Sequence, residues 1–165
     1  MLTIRPMVPT DEVQVLTLNA SSRPHVAELS HVELRRLLSL SNAHIVAIDE
    51  KVIGYALAFA RDDPYDGEEF IALRSLIPEP FLYVDQVATL GSMRRTGIGR
   101  RIYGSLERTA RVRGSRRLCC EVNTAPPNPD SLAFHSRLGF SRLGSFATGD
   151  GRRVDLLQKC LSVEA

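Results

Sequence analysis

The sequence lacks the residue patterns of disulfide-bonded, zinc-binding and membrane-spanning proteins. It has no tryptophan, only three cysteines, of which Cys119 and Cys120 are adjacent, and no Cys-x-x-Cys pair among its 165 residues. This excludes a disulfide framework and, with four scattered histidines, argues against a zinc site. No apolar run approaches the length of a membrane span, and the start lacks a basic segment followed by an apolar one. We therefore expect a cytoplasmic protein that binds neither a metal nor a membrane.

What is present is the composition of one globular domain, which we expect to cover residues 1–165. Hydrophobic residues make up 44% of the chain, charged residues 24%, and the net charge is +2, all typical of such a domain. Nine arginines lie in one short region: Arg94, Arg95, Arg100, Arg101, Arg108, Arg111, Arg113, Arg116 and Arg117. A nucleic-acid-binding face is one interpretation, but no basic tail accompanies the cluster and few aromatic residues are interleaved with it. A small polyanionic ligand explains it more economically.

The segment from residue 82 to residue 114 predicts a strand, a glycine turn and a helix. The strand, at 82–89, is rich in β-branched and aromatic residues. The helix has an apolar residue every fourth position, at Ile98, Ile102, Leu106 and Ala110. Gly97 and Gly99 fall at the helix N-terminus, where unpaired N–H groups and the macrodipole favour an anion. Gly114 ends the helix. With the surrounding arginines, the segment predicts a binding site for a pyrophosphate.

Apolar patterns predict the other elements of the chain. Strands are expected at 2–7, 43–48, 52–59, 117–122, 140–147 and 154–161. A first helix is expected to be capped by Thr10 or Asp11 and to direct Val13, Val15, Leu16 and Leu18 toward the core. Further helices are expected at 30–40 and within 61–80. Residues 123–129 predict irregular structure, after which Asn128 caps a helix that begins with Pro129 and ends at Gly139.

The glycine turn matches neither a P-loop nor a dinucleotide-binding fingerprint. Instead, Arg94-x-x-Gly97-x-Gly99 resembles the acyl-CoA pyrophosphate signature of the GNAT superfamily of N-acetyltransferases. A second segment, Asn128-x-x-Ser131-x-x-x-His135-x-x-x-Gly139-Phe140, resembles the superfamily pattern Asn-x-x-Ala/Ser-x-x-x-Tyr-x-x-x-Gly-Phe. Stretches such as Cys120-Glu121-Val122-Asn123 look like those of a little-characterised bacterial group of predicted acetyltransferases. The resemblance covers nearly the whole chain.

This resemblance implies a fold and a cofactor. The fold is α/β (α+β), with a mixed, mostly antiparallel twisted sheet flanked by about four helices, in which the central parallel strands at 82–89 and 117–122 splay apart. Acetyl-CoA would lie in that gap as co-substrate, with no metal. The residues that the resemblance implies for cofactor binding are Val87, Ala88, Thr89, Arg94, Arg95, Thr96, Gly97, Ile98, Gly99, Arg100, Asn128 and Ser131.

The resemblance also implies direct attack of an amine on the thioester. An alkyl amine is largely protonated at neutral pH, so a base must take up its proton. Asp85 is the first candidate base and Glu121 the second, and an ordinary solvated acid is the alternative for each. A backbone N–H near Val87 would stabilise the oxyanion. His135 replaces the usual tyrosine acid, and it is either the proton donor or a structural histidine.

The acceptor itself is not encoded in a recognisable motif. The interruption at 61–80 is expected to lie on the substrate side, with Tyr65, Asp66, Phe70 and Tyr83 as candidate contacts, or else to be a packed surface helix. We expect the acceptor to be a primary amine of a small molecule or of an N-terminus. A non-catalytic acyl-CoA-binding sensor or interaction module is the alternative function, and a homodimer is left open.

Overall fold

The computed structural model describes residues 1–162 of the chain, so the last three residues of the predicted domain lie outside the described residues. The strands are β1 Thr3–Pro6, β2 Ile45–Asp49, β3 Lys51–Ala60, β4 Leu82–Thr89, β5 Arg117–Ala125, β6 Ser141–Ala147 and β7 Arg153–Cys160. The helices are α1 Glu12–Ser21, α2 His31–Leu40, α3 Glu68–Leu76, α4 Ile98–Val112 and α5 Pro129–Arg137. None of these helices is both long and apolar enough to cross a membrane.

The strands form one seven-stranded sheet in the order β1-β2-β3-β4-β5-β7-β6. The pairs β1–β2, β2–β3, β5–β7 and β6–β7 are antiparallel. Strands β4 and β5 are parallel, and their ladder consists of the pairs Leu82–Leu118 and Tyr83–Cys119. The predicted α/β fold, with its mixed and mostly antiparallel sheet, is thereby confirmed. The described residues contain five α-helices where about four were expected.

The chain packs as two compact units, and β4 contributes residues to both. The first unit contains Met1–Phe59 and Val84–Thr109, and the second contains Ala60–Tyr83 and the described residues from Ala110 onward. Buried side chains of the first unit include Val15, Leu34, Leu57, Ile102 and Leu106. Those of the second include Phe70, Phe81, Leu118, Val154 and Leu156. Each unit therefore has an apolar core of its own.

Three local predictions differ from the structure. Val13 is 70% exposed, because Val15 and Leu18 lie on the buried side of α1 and Val13 does not. Asp11 precedes α1 without a side-chain cap, since its carboxylate binds the Arg5 guanidinium at 2.8 Å instead. Strand β5 continues to Ala125 rather than ending at residue 122, because its antiparallel pairing with β7 continues across a bulge as far as Ala125.

The first unit contains a fully paired network of buried amides. The Tyr55 hydroxyl donates to Gln86 Oε1 at 2.8 Å, and Asn19 Nδ2 lies 3.1 Å from the same hydroxyl. The Ala27 carbonyl, in the loop between α1 and α2, accepts from both Asn19 Nδ2 and Gln86 Nε2, at 2.9 and 3.1 Å. The N–H of Leu29 donates to Asn19 Oδ1 at 3.0 Å. Side chains of α1 and β4 thus fix the α1–α2 loop at two backbone positions, and Tyr55 of β3 bonds to both of these side chains.

We expect Gln86→Leu to lower the free energy of unfolding by about 1–3 kcal/mol, because the buried Tyr55 hydroxyl loses the acceptor for its proton. Urea unfolding measures this change. In the double variant with Tyr55→Phe, no hydroxyl remains to be paired, so its loss should be smaller than the sum of the two single losses. Additive losses would contradict the network.

Candidate active site

From Val84 onward, strand β4 presents one side to the core and keeps the other partly exposed. Val84, Gln86 and Ala88 are buried, whereas Asp85, Val87 and Thr89 are intermediate in exposure. This is the two-residue period of a strand, and it gives Asp85, Val87 and Thr89 one common face. The side chain of Ala88 points to the buried side, so a ligand on the Asp85 face could reach Ala88 only through its backbone.

The turn before α4 is shaped by two residues in the left-handed region. Arg95 has φ of 63° and Gly97 has φ of 88°, a conformation that costs a residue with a side chain about 1–2 kcal/mol. The first helical hydrogen bond runs from the Arg101 N–H to the Gly97 carbonyl, at 3.1 Å. The N–H groups of Ile98, Gly99 and Arg100 precede that bond, so the helix offers them no carbonyl acceptor.

The surroundings of these N–H groups suit an anion. A Cβ atom built on Gly97 would meet nothing within 4 Å, so the position faces open space. Thr96 is exposed, and its hydroxyl donates to the Met93 carbonyl. The side chains of Arg94, Arg95 and Arg100 are also exposed and add positive charge at the positive end of the helix dipole. The charge and the open space at this helix N-terminus therefore favour an anion.

In the second unit, Tyr83 and Glu121 form a hydrogen-bonded pair. The Tyr83 hydroxyl donates to Glu121 Oε2 at 2.6 Å. Tyr83 is fully buried, whereas Glu121 is partly exposed. The ring centroids of Tyr65 and Phe70 lie 6.3 and 5.4 Å from that of Tyr83. The structure thus brings together three of the four predicted acceptor contacts with one candidate base, and the fourth contact, Asp66, is exposed just before α3.

The remaining predicted residues lie on α5 and at its N-cap. Asn128 caps the helix as predicted, because its side chain accepts from the Ser131 N–H at 3.3 Å. His135 is buried one helical turn after Ser131 and lies with Nδ1 2.7 Å from the Ser131 carbonyl oxygen. The rings of Phe134 and Phe140 pack edge-on against it. Burial lowers the pKa of His135, and the hydrogen bond to Ser131 offsets part of this effect.

These contacts indicate which ring nitrogen of His135 carries a proton. A carbonyl oxygen only accepts, so Nδ1 carries the proton and, in the neutral ring, Nε2 carries a lone pair. A proton donor at Nε2 would require the charged imidazolium, and the lowered pKa makes that form scarce at neutral pH. The arrangement therefore favours the structural alternative for His135 over the general acid.

One residue that organises the second unit has no recognisable signal in the sequence. Arg152 contacts Glu69 at 3.2 Å, Asp150 at 3.0 Å and Asn123 Oδ1 at 3.0 Å. The neighbouring Gly149 N–H donates to Glu68 Oε1 at 2.9 Å. These contacts join α3 to the β6–β7 turn and to β5. Glu69 lies 83 positions from Arg152, and no short-range pattern reports a contact at that separation.

Other features of the described residues lie apart from these groups. A shallow groove of about 490 Å³ in the second unit is lined by Glu79, Pro80, Gly114, Arg116, Arg117, Cys160 and Leu161, and it includes none of the predicted site residues. Cys160 is exposed, whereas Cys119 and Cys120 are buried, and burial raises the pKa of Cys119 to about 12. Within residues 1–162, no three His, Cys, Asp or Glu side chains are grouped to hold a metal ion.

The chain is similar to known acetyltransferases. A model of the acetyltransferase (GNAT) family matches residues 14–140. The ribosomal-protein-S18-alanine N-acetyltransferase from Escherichia coli is 17% identical, with 100% of this chain and 97% of that chain covered and a TM-score of 0.71. Ard1 from Thermoplasma volcanium is 15% identical, with coverages of 98% and 99% and a TM-score of 0.78. A GNAT superfamily phosphinothricin acetyltransferase from Sinorhizobium meliloti, in complex with AcCoA, is 25% identical, with coverages of 98% and 89% and a TM-score of 0.71. No curated protein matches the sequence.

The buried neutral His135 should make stability depend on pH. Its pKa in the folded state is lowered from the value near ~6.5 in the unfolded chain, so the unfolded state binds more protons as pH falls below about 7. The unfolding free energy should therefore fall between about pH 7 and 5, by at most about 1.4 kcal/mol per pH unit. His135→Phe should remove this slope in urea unfolding, whereas a change at the exposed His25 should keep it. Equal slopes in the wild type and His135→Phe would contradict the assignment.

Proposed function

The chain belongs to the acetyltransferase (GNAT) family, and from this premise we propose that it is an N-acetyltransferase. It transfers the acetyl group of acetyl-CoA to a primary amine of a small molecule or an N-terminus, by direct attack of the amine. The observation that carries the proposal is the turn before α4, where the left-handed Arg95 and Gly97 lead into a helix N-terminus with N–H groups available for a pyrophosphate.

When bound, acetyl-CoA supplies the acetyl thioester. The residues of the turn and first helical turn, from Arg94 to Arg100, would hold its pyrophosphate, and the backbone of Val87, Ala88 and Thr89 would bind its pantetheine arm. Asn128 and Ser131 complete the proposed set. A relative with 25% identity is described in complex with AcCoA, which supports this ligand. The open space at Gly97 supports the location, because a phosphate needs close access to the backbone.

Two carboxylates are candidates for the base that takes the proton of the ammonium group. Asp85 remains the first, since it lies on the partly exposed side of β4. Burial raises the pKa of Tyr55 to about 12, and the Asp85 charge is a smaller cause of the same shift. Glu121 is the second, and its carboxylate is held in place by the Tyr83 hydroxyl. A backbone N–H near Val87 would stabilise the oxyanion. Because neutral His135 has no proton on Nε2 to donate, the departing thiolate would leave unassisted or take its proton from water.

The same replacement at His135 favours a second candidate function, which is a non-catalytic module that binds acyl-CoA. This candidate predicts the same cofactor affinity and no acetyl transfer. Release of free CoA from acetyl-CoA with a panel of primary amines separates the two functions, because only the enzyme releases CoA in an amine-dependent manner.

Acetyl-CoA at about a hundred times its Kd should add about 2.7 kcal/mol to the unfolding free energy and raise Tm by roughly 5–10 °C at about 2–4 °C per kcal/mol. Gly99→Glu should abolish the shift in a thermal melt, because it places a carboxylate in the first turn of α4. Gly104→Glu is the matched control, since it lies in the same helix and a Cβ there meets nothing within 4 Å. A Gly99→Glu variant that is stabilised like its control would place the phosphate elsewhere.

Asp85→Asn keeps the shape of the side chain and removes its charge. If Asp85 is the base, kcat should fall by about 10²-fold or more, while the thermal shift with CoA is retained. Glu121→Gln serves as the comparison in the same assay of CoA release. A large loss in Glu121→Gln with near-normal turnover in Asp85→Asn would reverse the assignment.

A further inference from the structure

Tyr83 connects an aromatic ring to a carboxylate in the second unit. The Tyr65 ring is tilted by 29° to that of Tyr83, and Tyr83 in turn holds Glu121. Tyr65 and Glu121 are partly exposed, whereas Tyr83 is fully buried. An ammonium group is attracted by the face of an aromatic ring and by a carboxylate, and the two attractions reinforce each other when both groups are partly desolvated.

The Tyr65 ring is held in place by its own loop. A Cβ built on Gly67 would lie 2.7 Å from the outer atoms of the Tyr65 ring, so the ring rests directly on the Gly67 backbone. Gly67 has φ of −60°, a value open to any residue, and the absence of a side chain there therefore serves the ring rather than the backbone. Phe70 contacts the ring from α3, with centroids 5.5 Å apart.

The segment that carries Tyr65 is also fixed to the rest of the second unit. Glu69 and Glu68, in the first turn of α3, contact Arg152 and the Gly149 N–H, and the Arg61 guanidinium donates to the Ile77 carbonyl at 2.9 Å. Helix α3 is thus fastened at both ends. These contacts hold α3 to the second unit, and Tyr65 lies three residues before the helix begins.

Charge in the same segment favours a cation. Residues 61–69 carry five carboxylates, at Asp62, Asp63, Asp66, Glu68 and Glu69. Arg61 is the one basic residue within 61–69, so the segment carries a net negative charge. Such a field attracts cations, in contrast to the arginines around the turn before α4.

We propose that Tyr65 is a specificity-determining residue of the acceptor site, and that its ring and the Glu121 carboxylate together bind the positively charged amino group of the acceptor. This rests on the proposed function. The substrate class is a small cationic amine, and zwitterionic or acidic amines are disfavoured because their carboxylate meets the negative charge of the segment. Tyr83 and Gly67 are positioning residues, since they act by placing Glu121 and the Tyr65 ring.

The test is calorimetric titration of the CoA-saturated protein with 1,4-diaminobutane and with 4-aminobutanoate, which share a chain length and differ in the charge of one end. The diamine should bind at least about 10-fold more tightly. Tyr65→Leu should weaken diamine binding by about 3–30-fold, whereas Tyr65→Phe, which keeps the ring, should bind nearly as the wild type does. Gly67→Ala should also weaken binding, because it displaces the ring while leaving the backbone unstrained.

Two results would overturn the proposal: equal affinity for the two amines, or a Tyr65→Leu variant that binds the diamine like the wild type. The thermal shift with CoA must be the same in all variants, which shows that each is folded. The proposed function fails in a different way, by an absence of amine-dependent CoA release. Diamine binding without turnover would therefore retain the amine-binding site and reject the enzyme.

Discussion

The two-residue period of β4 is the constraint on which the rest of the structure depends. Because successive side chains point to opposite sides of a strand, β4 can bury Gln86 on one side and hold Asp85 half-exposed on the other. The buried side anchors the α1–α2 loop through Ala27. A shift of one residue would exchange the two sides, exposing the amide network and moving the Asp85 carboxylate to the apolar core side, where burying a charge is costly.

Most elements and their ends could be predicted from the sequence, because they are set by short-range chemistry. Helix α5 begins where the Asn128 side chain caps it and Pro129 occupies its first position. Gly114 and Gly139 each follow a helix. Their φ values of 79° and 95° lie in the region that favours glycine. The end of β5 could not be predicted, because it is set by the antiparallel partner β7, which no local pattern describes.

The candidate site also contains features set by adjacent residues and features set by residues far apart in the chain. The turn before α4 could be recognised from its glycines and arginines, since an anion site at a helix N-terminus is built from adjacent residues. The contacts of Arg152 join segments far apart in the chain, so only the fold reveals them. Gln86 did leave a signal, because an amide between Val84 and Ala88 occupies a core position of an alternating strand, and a buried amide requires partners.

The distribution of cysteines gives the native protein a built-in reporter. Cys160, at the end of β7, is exposed, while Cys119 and Cys120 are covered within β5. Since burial also raises the pKa of Cys119 to about 12, its thiolate is suppressed in the native state. A thiol reagent will therefore label one site quickly, and the slower labelling of the other two will report how often the centre of the sheet opens. No engineered probe is needed to follow the unfolding of β5.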